Sequence, residues 1–211
     1  MCKKYISFLL LLNLHVSCLG QVILFGDCKE VKTMEYFEIE RVRDFFLGQW
    51  FTIQRIPSWY EENGQCAYKL VQQCERSIVF QHRSIRSGIE YMFHINSTYA
   101  PGDEAVFVIP KNNIDPFGIP LSVLRTDYTN YAIVYGCKHN QMLNFKYVLT
   151  WILSRSTTLP PDILDTAYEE LYPLPGGLGY MERVDHSPEL CDYHWTAHVQ
   201  AVYKNDTDTN P

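Results

Sequence analysis

The stretch Gly48-Gln49-Trp50 stands at the head of the first strong strand pattern in the chain. Gly48 lacks a side chain and lets the backbone turn sharply out of a short helical segment into a strand. Trp50 then presents a large ring that must be covered. Arg155, about a hundred residues later, suits that role because a guanidinium lies well over an indole face. We therefore predict that Arg155 covers Trp50.

Eight strand patterns, rich in β-branched and aromatic residues, follow this start at roughly even spacing and are separated by turn signals. We place them at 50–56, 66–73, 77–84, 88–96, 104–109, 120–126, 131–138 and 146–155. No helical pattern interrupts them, and closure of such a sheet removes its unpaired edges. The prediction is an all-β fold, an eight-stranded antiparallel up-and-down β-barrel, which encloses about the volume of one small ligand.

The segments around these strands have patterns of their own. Residues 34–47 mix aromatic and charged side chains and predict a short helical turn that plugs one end of the barrel. Pro160-Pro161 starts a helical pattern that ends before Pro173. Residues 192–203 predict one further strand. The segment 99–119, rich in Pro, Gly and Asn, leaves the course of the fifth barrel strand open.

The N-terminus has a basic start, a short apolar run and small residues near position 20, so residues 1–20 are predicted to be a secretory signal peptide. The remaining chain is long enough for one domain, placed at 21–203. The polar tail 204–211 is predicted to be disordered. With 24 acidic against 18 basic residues, the chain is a poor candidate for nucleic acid or an anionic membrane. It is expected to be secreted, extracellular and without a transmembrane segment.

Three motifs in this order resemble the signature regions of the lipocalins: the G-x-W at 48–50, Thr126-Asp127-Tyr128 in a late turn, and Arg155 at the end of the last strand. The chain is most similar to the apolipoprotein D, Lazarillo and insect bilin-binding branch of that family. The similarity lies in the runs NYAIVYGC (130–137), WILSR (151–155) and TLPPDILDTAYEEL (158–171). The resemblance implies that the single C-terminal helix packs outside the barrel.

Five cysteines remain after the predicted cleavage, and their spacing alone does not fix how they pair. The resemblance implies the disulfides Cys28–Cys137 and Cys66–Cys191. Cys74 is then left over, either as a half-buried free thiol or as an intermolecular or redox-active one. Two glycosylation sequons begin at Asn96 and Asn205.

The sequence contains no G-x-S-x-G, H-E-x-x-H or C-x-x-C motif, and the spacing of His194 and His198 on a predicted strand does not suit a shared metal. We therefore predict neither an enzyme nor a metal site.

The aromatic content favours an apolar pocket instead, since such pockets need only a few polar groups to orient a ligand. Strand alternation and the resemblance together predict the lining. The predicted ligand-binding residues on the strands are Val79, Gln81, Arg83, Leu121, Val123, Val134, Tyr147 and Trp151. Trp59 and Tyr60 are predicted to lie in the loop 57–65 at the open mouth and to close over the ligand.

Two further points concern this lining. Arg83 or Arg125 is a candidate anchor for a ligand carboxylate; the alternative is that each pairs with an acid of the chain or reaches solvent. Ala132, Val134 and Gly136 are predicted to point inward, where their small size leaves room.

The resemblance implies a secreted protein that carries or sequesters a small hydrophobic ligand, such as a lipid, fatty acid, steroid or retinoid-like molecule, without a required cofactor. It also implies roles in lipid handling and protection from oxidative stress. One alternative is a bilin pigment carrier. A second is an interaction protein that acts through its loops or as a dimer linked by Cys74. Its partner is then a receptor or a second copy of the chain.

Overall fold

The computed structural model describes residues 21–37, 46–75, 77–99, 105–192 and 194–200. The predicted signal peptide, the tail 204–211, Asn205 and most of the predicted helical turn lie outside these residues. The strands are β1 (Ile23–Phe25), β2 (Gly48–Ile56), β3 (Gln65–Cys74), β4 (Ser77–Arg86), β5 (Ile89–Tyr99), β6 (Val106–Val108), β7 (Leu121–Thr126), β8 (Tyr131–Asn140), β9 (Phe145–Ser154), β10 (Glu182–Arg183) and β11 (Trp195–Gln200). The helices are α1 (Pro161–Leu171) and α2 (Pro188–Cys191).

Strands β2 to β9 form a closed antiparallel barrel. Each strand pairs with the next along the chain, and β9 pairs back onto β2 from Phe51↔Ser154 to Ile56↔Thr150. Because β9 pairs with β2, neither strand has an unpaired edge where the barrel closes. The predicted eight-stranded up-and-down barrel is confirmed, although β6 is shorter than the predicted strand at 104–109.

Trp50 closes one end of the barrel and is fully buried. The Arg155 guanidinium lies 3.6 Å from its ring centroid and donates to the carbonyl oxygens of Gln49 (2.7 Å) and Leu47 (3.0 Å). Gly48 has a φ of +97°, and a Cβ there would lie 3.4 Å from Nη1 of Arg155. The predicted cover of Trp50 by Arg155 is confirmed, and Gly48 provides both the turn and the space for it.

The Thr126-Asp127-Tyr128 motif builds the turn between β7 and β8 beside this closed end. The Asp127 carboxylate accepts from the backbone N–H groups of Asn130 (2.8 Å) and Tyr131 (3.0 Å). The backbone N–H of Tyr128 donates to Oγ1 of Thr126 at 2.9 Å. The motif is therefore a self-bonded turn that holds two barrel strands together.

Helix α1 packs outside the barrel, as the resemblance implied. Its Ala167 and Leu171 are buried in an outer cluster with Ile56, Ile133 and Ile152, which belong to three barrel strands. The wall of the barrel is thus apolar on both sides at this point. Removal of apolar surface from water on this outer face stabilises the helix, which is too short to be stable alone.

Both predicted disulfides are present. Cys28–Cys137 ties the N-terminal arm to β8, and Cys66–Cys191 ties the C-terminal segment to β3. Cys74 is unbonded and exposed, so the expectation of a half-buried thiol is wrong.

Three short strands extend the barrel sheet at its margins. β1 pairs with Phe145–Tyr147 of β9, and β10 pairs with Gln54 and Arg55 of β2. β11 runs parallel to Ile89–His94 of β5, which confirms the further strand predicted within 192–203. Among the described residues, β6 pairs with β5 only at Thr98 and Tyr99, and β11 pairs with an earlier stretch of β5.

Candidate functional site: the interior of the barrel

The interior is lined by one continuous cluster of buried apolar side chains, many of them aromatic. Its closed end is filled by aromatic contacts, including Phe80 against Phe107 at 5.2 Å and Phe46 against Trp50 at 5.4 Å between ring centroids. The predicted ligand-binding residues that belong to this cluster are Tyr60, Leu121, Val123, Val134, Tyr147 and Trp151, with Trp59 partly buried against it.

The predicted inward direction of Val79, Gln81 and Arg83 in β4 is wrong. Ile78 and Phe80 belong to the interior cluster, and the ring of His82 lies 5.2 Å from the ring of Trp151. Val79, Gln81 and Arg83 therefore lie on the outer face. There Gln81 contacts His94 at 3.1 Å, and Arg83 lies 3.8 Å from Glu90. The more apolar set faces inward because the inner face is where apolar surface is removed from water.

Arg125 also lies outside, where it forms a 3.1 Å ion pair with Glu170 of α1. Leu121 and Val123 face inward as predicted, but the register shifts between Val123 and Arg125, which turns Arg125 outward. Neither arginine considered as a carboxylate anchor faces the interior, and both pair with an acid of the chain.

Gly136 does not leave room in the interior. Ala132, Val134 and Gly136 do face inward, opposite Leu153, Trp151 and Leu149. A Cβ at Gly136 would lie only 3.0 Å from side-chain atoms of Ile119 and Leu149. Because Gly136 has no side chain, Ile119 and Leu149 can pack close to its backbone.

The loop 109–120 at the mouth is highly ordered by its own polar side chains. Oδ1 of Asn112 accepts from the backbone N–H groups of Ile114 and Asp115 at 2.8 Å each. The Asp115 carboxylate in turn accepts from the N–H groups of Phe117 (3.0 Å) and Gly118 (2.9 Å). This arrangement stacks the ring of Phe117 on Tyr147, with 3.7 Å between their centroids.

The second mouth loop, residues 57–64, folds into the barrel. Tyr60 is buried, and its ring lies 5.4 Å from that of Phe93 and 5.5 Å from that of His82. Glu61 is also buried. This loop follows β2 at the end opposite Trp50, so its side chains occupy the mouth of the barrel from within.

The Glu61 carboxylate holds the loop in place. It accepts from Nζ of Lys69 in β3, from Nε1 of Trp151 in β9 at 2.9 Å, and from Oγ of Ser58 at 2.8 Å. Burial alone would raise the pKa of Glu61, but the Lys69 charge and the contact with His82 hold that pKa well below its ordinary value. Glu61 is therefore ionised inside the barrel.

Lys69 and His82 carry pKa values shifted by the same burial. Burial lowers the pKa of Lys69 to about 8, although the attraction of Glu61 opposes this. Burial and the Lys69 charge lower the pKa of His82 to about 4, so its imidazole is neutral at pH 7. Nζ of Lys69 lies 2.8 Å from Nδ1 of His82. Since an ammonium only donates, Nδ1 accepts and Nε2 carries the ring proton.

Arg55 completes the polar part of the interior. It lies opposite Trp151 on the barrel wall and is fully buried. Its Nε donates to Glu182 at 2.6 Å and its Nη2 to the carbonyl oxygen of Gly64 at 2.5 Å. We refer to Arg55, Glu61, Lys69 and His82 as the interior polar cluster.

The sequence analysis missed all four members of this cluster. One signal was available: the set Ile78, Phe80 and His82 is more apolar than Val79, Gln81 and Arg83, which favours it for the inner face. Lys69 alternates with Ala67 and Val71 in β3, so its inward position also follows from period two. The contact between Glu61 and Lys69 has no comparable signal, because it depends on how a loop folds.

Two grooves lie on the outside of the barrel. One of about 340 Å³ lies between the outer face of the sheet and the C-terminal segment, beside Tyr68, Arg83 and His194. The other, of about 330 Å³, lies under the N-terminal arm beside Cys28 and Tyr135. Within the described part of the chain, no group of three or more His, Cys, Asp or Glu side chains is placed to hold a metal ion. None of the described helices is both long and apolar enough for a membrane span.

Comparison with known proteins agrees with this architecture. The sequence profile of the "Lipocalin / cytosolic fatty-acid binding protein family" matches residues 47–175, more than half of the chain. Apolipoprotein D of Mus musculus is 27% identical over 159 residues, covering 73% of this chain and 79% of the relative. The bilin-binding protein of Pieris brassicae is 26% identical over 162 residues, covering 72% and 80% respectively.

Solved structures give the same fold. Insecticyanin from the tobacco hornworm Manduca sexta has a TM-score of 0.70 at 23% identity, covering 85% of this chain and 96% of its own. Lobster apocrustacyanin A1 has a TM-score of 0.68 at 19% identity, covering 81% and 94%. The closed barrel, the Trp50–Arg155 contact and the match to the family profile lead to one conclusion: the chain belongs to the lipocalin family, on the branch that includes apolipoprotein D and the insect bilin-binding proteins.

Proposed function

We propose that this lipocalin is a secreted carrier that encloses one small hydrophobic molecule inside the barrel. The observation that carries the proposal is the continuous apolar and aromatic inner face of a closed eight-stranded barrel. Transfer of apolar ligand surface out of water contributes about 25 cal/mol per Å², so such a face binds without covalent chemistry. The site calls for no cofactor or metal.

Ligand entry requires the loop 57–64 to move. Tyr60 and Glu61 occupy the mouth from within, so a ligand can reach the inner face only when these side chains leave with their loop. The loop is held by the Glu61 carboxylate, which bonds Lys69 and Trp151, and by the burial of Tyr60 in the interior cluster. We therefore propose that Glu61 holds the loop against the barrel wall.

The direct test is native mass spectrometry of protein purified from its own tissue, which shows the mass of any retained molecule. A second test titrates the purified protein with a hydrophobic ligand and follows tryptophan fluorescence. Trp151 lies in the inner cluster, so ligand binding quenches emission in the wild type, and Trp151→Phe reduces that change. Trp195 is exposed and Trp195→Phe serves as the matched control. Absence of saturable quenching by any hydrophobic ligand would count against the carrier function.

A bilin is the second candidate ligand. The relatives include a protein named for bilin binding, and the interior combines aromatic faces with a polar cluster that can bond pyrrole nitrogens or carbonyl oxygens. Visible absorbance of protein from its native source, or a shifted biliverdin spectrum on addition of the purified protein, tests this candidate. Colourless native protein that leaves the biliverdin spectrum unchanged excludes it.

Secretion is part of the proposal. Two disulfides fit an oxidising compartment, and Asn96 of the first sequon is exposed on β5. Expression in a eukaryotic cell line should release protein that starts near residue 21 and loses mass on deglycosylation. Retention of an uncleaved chain inside the cell would contradict secretion.

A function of a different class is interaction with a receptor, or with a second copy of the chain through a disulfide at Cys74. Cys74 is exposed and at the end of β3, where a second copy can reach it. A non-reducing gel of secreted protein shows whether the dimer forms, with Cys74→Ser as the control.

A further inference from the structure

We propose that the interior polar cluster contains a subsite for the carbonyl oxygen of a neutral, otherwise apolar ligand, with Nε2 of His82 as the donor that bonds it and Nη1 of Arg55 as a second unsatisfied donor of the same cluster. This inference rests on the proposed carrier function and adds the chemical class of the ligand and its orientation. The apolar part of the ligand would then contact the aromatic side chains around His82, among them Tyr60, Phe80 and Trp151.

The first support is the state of the two donors. His82 is 2% exposed and Arg55 0% exposed. Nε2 of His82 and Nη1 of Arg55 have no hydrogen-bond partner among the residues that the structure describes. A buried donor without an acceptor is costly, and buried polar groups are satisfied in the great majority of cases. An acceptor brought by a ligand removes this cost.

The second support is the direction of the His82 donor. Nδ1 of His82 faces Lys69, which fixes the ring proton on Nε2. Nε2 points away from the Lys69–Glu61 ion pair, because the two ring nitrogens diverge. The rings of Tyr60, Phe80 and Trp151 surround the imidazole at centroid distances of 5.5, 6.5 and 5.2 Å. The imidazole that carries the free N–H therefore lies among the aromatic side chains of the interior.

The third support is charge balance, which distinguishes a carbonyl from a carboxylate. Lys69 pairs with Glu61, and Arg55 pairs with Glu182, so the two cations already have their two anions. His82 is neutral. A ligand carboxylate would add an uncompensated charge to a buried site, which is strongly unfavourable. A neutral carbonyl oxygen accepts a hydrogen bond and adds no charge.

The test compares four ligands with the same twelve-carbon chain: 2-dodecanone, dodecane, dodecanoate and dodecylammonium. Affinities come from displacement of a fluorescent hydrophobic probe from the wild-type protein. We expect 2-dodecanone to bind about tenfold more tightly than dodecane, as one net buried hydrogen bond provides. Dodecanoate and dodecylammonium should bind more weakly than the ketone. Equal affinity of ketone and hydrocarbon, or tighter binding of dodecanoate, would overturn the proposal.

His82→Phe keeps a ring at this position and removes the donor. In this variant the affinity for 2-dodecanone should be only about one to three times the affinity for dodecane, because a single donor accounts for most of the gain. Arg83→Met, one position away on the outer face, should retain the full preference. If His82→Phe keeps the wild-type preference, the assignment of His82 is wrong.

A measurement on the wild type alone keeps the proposal testable if His82→Phe does not fold. The infrared carbonyl stretch of bound, ¹³C-labelled 2-dodecanone should lie at lower frequency than in alkane solution, as for a hydrogen-bonded carbonyl. A stretch at the alkane frequency would refute the subsite. If none of the four ligands displaces the probe, the carrier function itself fails; if dodecane binds as well as the ketone, only the subsite fails.

Discussion

Nε1 of Trp151 donates a 2.9 Å hydrogen bond to the carboxylate of Glu61, 90 residues earlier in the chain. The bond joins the last barrel strand to the loop that fills the barrel mouth. Lys69 contacts the same carboxylate from β3, so one side chain links the loop to two separate strands. Opening of the mouth therefore means breaking a buried, charged contact.

Glu61→Gln should lower the free energy of unfolding by about 3–5 kcal/mol, because it leaves the Lys69 ammonium buried without its counter-charge. Urea denaturation followed by circular dichroism measures the change. Glu169→Gln, on the exposed surface of α1, should change stability by less than about 0.5 kcal/mol. Equal effects of the two substitutions would show that the ion pair does not hold the loop.

Arg155→Met should destabilise the protein by about 2–3 kcal/mol, since it removes the cation–π contact with Trp50 and the hydrogen bonds to backbone carbonyls that include those of Gln49 and Leu47. Thermal unfolding reports the loss. Arg125→Met is the matched control: it breaks an exposed ion pair with Glu170 and should cost less than about 1 kcal/mol. A larger effect at Arg125 than at Arg155 would contradict the structural role of the motif.

Stability should depend on pH through His82. Its pKa is lowered from 6.5 to about 4 in the folded protein, so between these values the unfolded chain binds more protons than the folded one. Stability therefore falls as the pH drops from 6.5 toward 4, by up to about 3 kcal/mol. Glu61, Lys69 and Arg55 are the charged groups around this imidazole. Denaturation curves at several pH values should show a smaller slope for His82→Phe; an unchanged slope would exclude His82 as the source.

The double substitution Cys66→Ser with Cys191→Ser should lower the free energy of unfolding by about 2–5 kcal/mol, the range for loss of a native disulfide. This bridge spans 125 residues and holds the C-terminal segment on β3. Differential scanning calorimetry measures the shift in Tm. Cys74→Ser should leave Tm unchanged because Cys74 is exposed and unbonded.

The barrel strands and the closed end were predictable from the sequence, because alternation indicates strands and the motifs at Gly48, Thr126 and Arg155 mark that end. The external position of the helix and both disulfide pairings came from the resemblance to the lipocalins, since neither follows from spacing alone. The inner face of β4 was assigned incorrectly by resemblance, although the alternation of Ile78 and Phe80 with Gln81 and Arg83 favoured the other set. The outward turn of Arg125 depends on a register shift that leaves no mark in composition.

The contacts of Glu61 within the interior polar cluster were beyond sequence reasoning for a physical reason. Glu61, Lys69 and Trp151 come together only because loop 57–64 folds inward, and contacts of such sequence separation have no local signature. The same applies to Phe117 and Tyr147, which are stacked by a loop whose course the Pro, Gly and Asn content left open.

Strand β11 has a consequence for the protein after proteolysis. It covers Ile89–His94 of β5, on the side where β6 reaches only Thr98 and Tyr99. Cleavage just beyond Cys191 would release this six-residue cover while the disulfide kept the rest of the barrel intact. The nicked molecule would then display unpaired N–H and C=O groups along a lateral seam, a surface that attracts strands from other copies. The C-terminal segment thus shields that seam in the folded barrel.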